Sequence, residues 1–180
     1  MRVITGSARG RKLIEPQGFD IRPTTDQVKE AIFNICQFDV EGRRVLDLFG
    51  GTGQLGIEAK SRGAAIVDIV DNARESIRLI RENVKTVGLD IRVIQSDALA
   101  YLERCGTYDL IFIDPPYDSD LSEKALRQIK AFDILSNGGI ILCETRAETE
   151  LPALEAPYLL KKQYRYGKVK LTTYTKEADT

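Results

Sequence analysis

An α/β fold, with a mainly parallel sheet and helices on both faces, is predicted by three observations. Short apolar runs alternate with helical patterns from Arg43 onward. Glycines stand where two of those helical patterns end, at Gly63 and Gly88. The chain has 180 residues, 43% hydrophobic and 29% charged, which suits one globular domain. Strand–helix alternation implies right-handed crossovers and hence parallel neighbours. The expected organisation is one domain over 1–180, with a basic hairpin or arm at 1–22 and a core at 23–180.

The elements follow in order. The start, RVITG-SARG-RKLIE, reads as two β-like runs around Gly6 and Gly10. Thr24 or Thr25 caps a first helix whose apolar face is Val28, Ala31, Ile32 and Ile35. VLDLF (45–49) is a buried strand, and 54–62 a helix. AIVDIV (65–70) is the next strand, and Asn72 caps a helix to about Thr86. IRVIQ (91–95) is a strand, 97–104 a short helix, and DLIFI (109–113) a strand. Ser122 caps a helix to about Phe132, and Asn137-Gly138-Gly139 turns into IILCE (140–144). The tail, 158–175, is two strands around Gly167, an antiparallel ending that brings the sheet to seven strands.

Composition removes several function classes. There is no histidine, so no Ser-His triad, no His general base and no His-bearing zinc site. Cys36, Cys105 and Cys143 are scattered, with no C-x-x-C, so no metal site is expected and the thiols read as free in a reducing cytoplasm. No stretch approaches the roughly 18 apolar residues of a membrane span, and the first residues lack a signal-peptide run. The net charge of -1 conceals an asymmetry. Residues 1–14 carry four cations (Arg2, Arg9, Arg11, Lys12) and residues 161–176 carry six, neither with an acid. The ends are therefore basic and the body acidic. Brought together, the ends would form a patch suited to a polyanion; apart, they are solvated strands.

Gly51-x-Gly53-x-x-Gly56 follows a strand and opens a helix, and Asp71 ends the next strand. That spacing fits a nicotinamide dinucleotide site, with the acid on ribose hydroxyls. Two features point elsewhere. Asp47 precedes the glycines inside the strand, where a carboxylate opposes a pyrophosphate but suits a cation. S-adenosylmethionine carries a sulfonium and an ammonium and no phosphate. Ser96-Asp97-Ala98 then ends the third strand, where an acid can meet an adenine amino group or simply cap the following helix.

Asp114-Pro115-Pro116-Tyr117 follows DLIFI and falls at the carboxyl edge of a doubly wound sheet, in the crevice of the glycine loop. The prolines remove two backbone donors and leave their carbonyls free. Asp114 and the Pro115 carbonyl would accept the N–H groups of an exocyclic amine, and Tyr117 would stack on the base. Catalysis is then mostly positioning.

These residues resemble class I methyltransferases, and nearly the whole chain resembles the bacterial RsmD-type family, which methylates a guanine N2 in 16S ribosomal RNA. The resemblance rests on Arg9-Gly10-Arg11-Lys12-Leu13, Arg22-Pro23-Thr24-Thr25-Asp26, Asp47-Leu48-Phe49, Gly51-Thr52-Gly53, Ser96-Asp97-Ala98, Asp114-Pro115-Pro116-Tyr117 and Tyr166-Gly167-Lys168. It implies a Rossmann-like methyltransferase fold with an N-terminal hairpin, S-adenosylmethionine as donor, and cytoplasmic action on ribosomal RNA or a ribosomal particle. The implied donor site is Asp47, Phe49, Gly50, Gly51, Thr52, Gly53, Asp71, Asp97, Ala98 and Asp114. Arg2, Arg9, Arg11, Lys12, Arg22 and Lys168 would grip RNA phosphates. Arg22 and Thr24 are expected near the site. The family's acid near the second strand's end falls on Ile69 here, which leaves Asp71 or Asp68, with Asp71 expected. A DNA adenine-N6 methyltransferase, an NAD-dependent oxidoreductase and a noncatalytic RNA-binding module are the competing readings, and a monomer is expected.

Overall fold

The computed structural model describes residues 1–18 and 23–178. Arg22, expected to touch RNA, lies outside them. Among the described residues twelve elements run: strands β1 (Arg44–Asp47), β2 (Ile66–Asp71), β3 (Arg92–Gln95), β4 (Tyr108–Ile113), β5 (Leu135–Arg146), β6 (Tyr158–Tyr166) and β7 (Val169–Lys176), and helices α1 (Asp26–Ile35), α2 (Gln54–Ser61), α3 (Arg74–Val87), α4 (Ala98–Leu102) and α5 (Leu121–Ala131). The seven strands form one sheet in the order β3-β2-β1-β4-β5-β7-β6. β1 to β5 are parallel, while β7 runs antiparallel to both β5 and β6. Strand order reverses between β1 and β4, so the loops leaving those strands diverge and open a crevice at their carboxyl ends.

Alternation along the strands separates two apolar layers. Val45, Val67, Ile69, Leu110, Phe112, Leu142 and Leu171 face one side, where α1, α2, α3 and the N-terminal segment cover them. Leu46, Leu48, Val70, Ile111, Ile113, Ile141 and Tyr174 face the other, under α4 and α5. Burial on both faces explains why the central strands read as continuous apolar runs rather than alternating ones.

The N-terminal segment is a docked hairpin with one antiparallel bridge, Arg2 to Lys12. Val3, Ala8 and Leu13 enter the core beside α1 and α2. Glu58 on α2 accepts from the Ile4 and Thr5 N–H groups, both at 2.9 Å. Gly6 lies so close to α2 that a Cβ there would sit 1.8 Å from the Ser61 carbonyl oxygen. On α3, the Asn83 Oδ1 accepts from the Ile14 N–H at 2.7 Å.

Three local expectations change. The N-cap of α3 is Ala73, not Asn72, because Asp71 Oδ1 takes the Ala73 N–H at 2.9 Å. The N-cap of α5 is Asp120, not Ser122; Ser122 is buried inside the helix. Asn137-Gly138-Gly139 lies within β5, where the β4–β5 register shifts, and glycine is needed at 139 because a Cβ there would meet Leu135, the Ser136 carbonyl and the Asp109 carbonyl within 3 Å. Two of the six tail cations also leave the presumed basic patch: Lys170 pairs with Glu150 at 3.1 Å and Lys176 with Asp133 at 2.8 Å.

Candidate active site

The crevice at the strand-order reversal holds a cavity of about 610 Å³, a volume typical of cofactor sites. Its walls are the β1–α2 loop, the β2 and β3 ends, the β4–α5 loop, and Pro23 to Thr25 with Val28. Six carboxylates line it (Asp47, Asp71, Glu75, Asp97, Asp114 and Glu144), and no lysine or arginine does among the described residues.

The glycine loop is shaped by close approach. A Cβ on Gly50 would lie 2.4 Å from Ile69 Cγ2, and Gly53 has φ 82° with Ile80 packed behind it. Gly53 therefore caps α2 without lining the cavity, unlike Phe49, Gly50, Gly51 and Thr52. Asp71 braces the loop: its Oδ2 accepts from the Gly51 N–H at 2.9 Å while Oδ1 accepts from the Ala73 N–H ahead of α3. Each oxygen keeps a further lone pair. Asp68, the alternative, is fully buried on the opposite face, bonded to Arg92 Nε at 2.6 Å and to the Tyr108 hydroxyl. It does not line the cavity. Asp97 does, and its Oδ1 also caps α4 through the Ala100 N–H at 2.9 Å.

Asp47 is buried beneath the loop and accepts from the Gly56 N–H at 3.1 Å. Burial, reinforced by the Asp71 charge, pushes its carboxyl up to about 7. Asp114 shares the cavity, so the glycine loop and the Asp-Pro-Pro-Tyr corner form one site. Thr24 Oγ1 donates to Asp114 Oδ2 at 3.2 Å, and Gln54 Nε2 donates to the Thr24 carbonyl at 3.0 Å. Burial, then the charges of Glu144 and Asp47, raise the Asp114 carboxyl well above the carboxylate range. The Tyr117 hydroxyl donates to Glu144 Oε1 at 3.0 Å, and the Arg146 guanidinium lies 5.2 Å from its ring centroid. One ring face is thus covered by Arg146.

Glu144, Glu75 and Gln54 were not picked out by sequence reading. Glu144 sits in the apolar run IILCE, and only strand pairing, Ile113 beside Cys143, brings it next to Asp114. Arg2, Arg9, Arg11, Lys12 and Lys168 are all exposed. The two basic segments feed the same apolar layer, through Val3 and Leu13 on one side and Tyr164, Tyr166 and Val169 on the other. Gly167 (φ 59°) turns β6 into β7, and the adjoining Val169 lines the cavity, which puts Lys168 near its mouth.

The sheet order and this crevice define a class I methyltransferase fold. A family model described as "Conserved hypothetical protein 95" matches residues 1–175. The Bacillus subtilis protein YlbH is 37% identical across 98% of this chain and 99% of its own length. The Escherichia coli ribosomal RNA small subunit methyltransferase D is 33% identical across 99% of this chain and 91% of its own. Among solved structures, yhhF from Escherichia coli superposes with a TM-score of 0.88 at 33% identity, covering 99% of both chains. The chain belongs to this RsmD-type methyltransferase family.

Proposed function

We propose that the protein methylates the exocyclic N2 of a guanine in small-subunit ribosomal RNA, with S-adenosylmethionine as donor. The observation that carries the reading is a cavity with six carboxylates and no cation among its described walls. A pyrophosphate would meet unrelieved negative charge there, whereas a sulfonium and an ammonium would be attracted. A noncatalytic RNA module would have no use for such a pocket. When bound, the donor supplies an electrophilic methyl on a sulfonium whose electron pair stays with sulfur.

Asp47, the loop from Phe49 to Thr52, Asp71, Asp97 and Ala98 would hold that donor. Asp71 offers its remaining lone pairs to ribose hydroxyls, and Asp97 offers its second oxygen to the adenine amine. Asp114 and the Pro115 carbonyl accept N–H bonds from the base amine and fix its lone pair toward the methyl. Tyr117 stacks on the base through the ring face away from Arg146. Positioning of this kind is worth about 7–11 kcal/mol. Arg2, Arg9, Arg11, Lys12 and Lys168 hold phosphates, while the base must leave its stack to reach Asp114.

The reading is tested by incubating the protein with methyl-labelled donor and either under-methylated small-subunit RNA or particles, or DNA. Label in RNA as N2-methylguanosine is expected. Label in DNA adenine alone overturns the reading in favour of the adenine-N6 alternative.

A further inference from the structure

Glu144 is unexplained by donor binding or by amine recognition. Its side chain is 6% exposed, on a central strand, in a cavity that already holds Asp47 and Asp114. Buried glutamates are rare unless partnered. Its Oε1 accepts from the Tyr117 hydroxyl, and the β4–β5 register, Ile113 beside Cys143, sets it next to Asp114 in the same cavity. Two buried carboxyls side by side with no cation between them cannot both ionise, so they hold one proton in common. Thr24 donates to the other side of Asp114, so the pair is enclosed by a hydroxyl at each end. No lysine or arginine of the described cavity wall neutralises it.

We propose that Glu144 is a positioning residue that acts through Asp114: the two carboxyls share one proton before the donor enters, release it to solvent when the cationic donor arrives, and regain a proton from the methylated base nitrogen. The inference rests on the function proposed above. A positive charge entering the cavity favours the ionised pair, so the shared proton leaves. Asp114 is then a full carboxylate, the stronger acceptor for an amine N–H. Once the nitrogen has gained the methyl it bears one proton in excess. That N–H bond breaks, its electron pair stays on nitrogen, and the proton passes to an Asp114 oxygen and is shared again with Glu144. The pair ends as it began. A lone Asp114 keeps the effect of burial but lacks the neighbouring negative charge that raises its affinity for that proton further.

The test is calorimetric titration of the protein with S-adenosylmethionine, in buffers of different ionisation enthalpy, on wild type and Glu144→Gln. S-adenosylhomocysteine, which lacks the sulfonium charge, is the control. Wild type should release about one more proton on donor binding than Glu144→Gln does, with Asp47 contributing equally to both. S-adenosylhomocysteine should release fewer protons from wild type. In an Asp47→Asn background, infrared difference spectra before ligand is added should show a carboxylic-acid band at neutral pH that both Glu144→Gln and Asp114→Asn remove. Single-turnover methyl transfer should fall about 100-fold in Glu144→Gln, with donor and RNA affinity little changed and partial recovery in Glu144→Asp. Equal proton release by wild type and variant, or a band that survives Glu144→Gln, overturns the proposal. If neither ligand binds, the donor assignment and the proposal fall together. If ligands bind and protons are released but RNA is not methylated, only the substrate assignment falls.

Discussion

Removing Glu58 should unfasten the N-terminal hairpin while leaving in place the residues that line the cavity. The Glu58 carboxylate accepts from Ile4 and Thr5 N–H, takes Arg62 Nε at 3.0 Å, and faces Lys29 Nζ at 3.8 Å, with both the Glu58 and Lys29 side chains fully buried. Glu58→Ala leaves Lys29 as an uncompensated buried charge and strands two backbone donors. Breaking a buried pair in this way costs about 3–5 kcal/mol. At about 2–4 °C per kcal/mol for a chain of this size, a loss near 4 kcal/mol lowers Tm by roughly 8–16 °C. The deficit should shrink with rising pH. Lys29, already held below its ordinary 10.5 mainly by burial, loses its Glu58 support and sheds its proton in the folded state at lower pH than in the unfolded chain. Stability is therefore regained between the two values. Thermal unfolding by circular dichroism, hydrogen exchange at Ile4 and Thr5, and calorimetry with donor and RNA read the outcome. Faster exchange at the hairpin, weaker RNA binding and near-normal donor binding are expected. A Tm within about 2 °C of wild type, or unchanged exchange at Ile4 and Thr5, would refute the anchoring role of Glu58.

Other perturbations address the site and its grip on RNA. Asp114→Ala should reduce methyl transfer by roughly 100-fold or more in single-turnover assays while RNA binding persists; full activity removes Asp114 from the chemistry. Neutralising Arg9, Arg11 and Lys12 together should lower RNA affinity and flatten log K against log salt by about 0.7–0.9 for each phosphate the hairpin no longer neutralises; an unchanged slope shows that the hairpin touches no phosphate. Donor affinity should rise with pH through about 7 as Asp47 ionises, since a cation prefers the carboxylate, and Asp47→Asn should reduce that dependence in calorimetry. Gly50→Ala should weaken donor binding and cost about 1–3 kcal/mol in chemical unfolding, because the new methyl collides with Ile69 and Ile80.

The features legible in the sequence were those encoded within a few residues. The glycine turn and Asp-Pro-Pro-Tyr each sit at the carboxyl end of an apolar run, so the parallel-sheet assignment alone places them in one crevice. Asp97 shows both its capping geometry and its place on the cavity wall, which the Ser-Asp-Ala string left open. Long-range pairing stayed hidden. Glu144 reads as one more residue of an apolar strand until β4 and β5 align, and Asp68 gains its role from Arg92, Tyr101 and Tyr108 on other elements. The caps of α3 and α5 differ from the local sequence signal: Asn72 and Ser122 have suitable side chains, but Asp71 already serves the Ala73 N–H and Ser122 is inside its helix. The basic tail was overcounted because Lys170 and Lys176 reach acids more than 15 residues away in sequence.

The most direct measurement is mass spectrometry of nucleosides from small-subunit ribosomal RNA, isolated from cells with the gene intact, with it deleted, and with Asp114→Ala in its place. One N2-methylguanosine present in the first sample and missing from the other two is expected. An identical N2-methylguanosine content in all three would contradict the assignment of this crevice to guanine methylation.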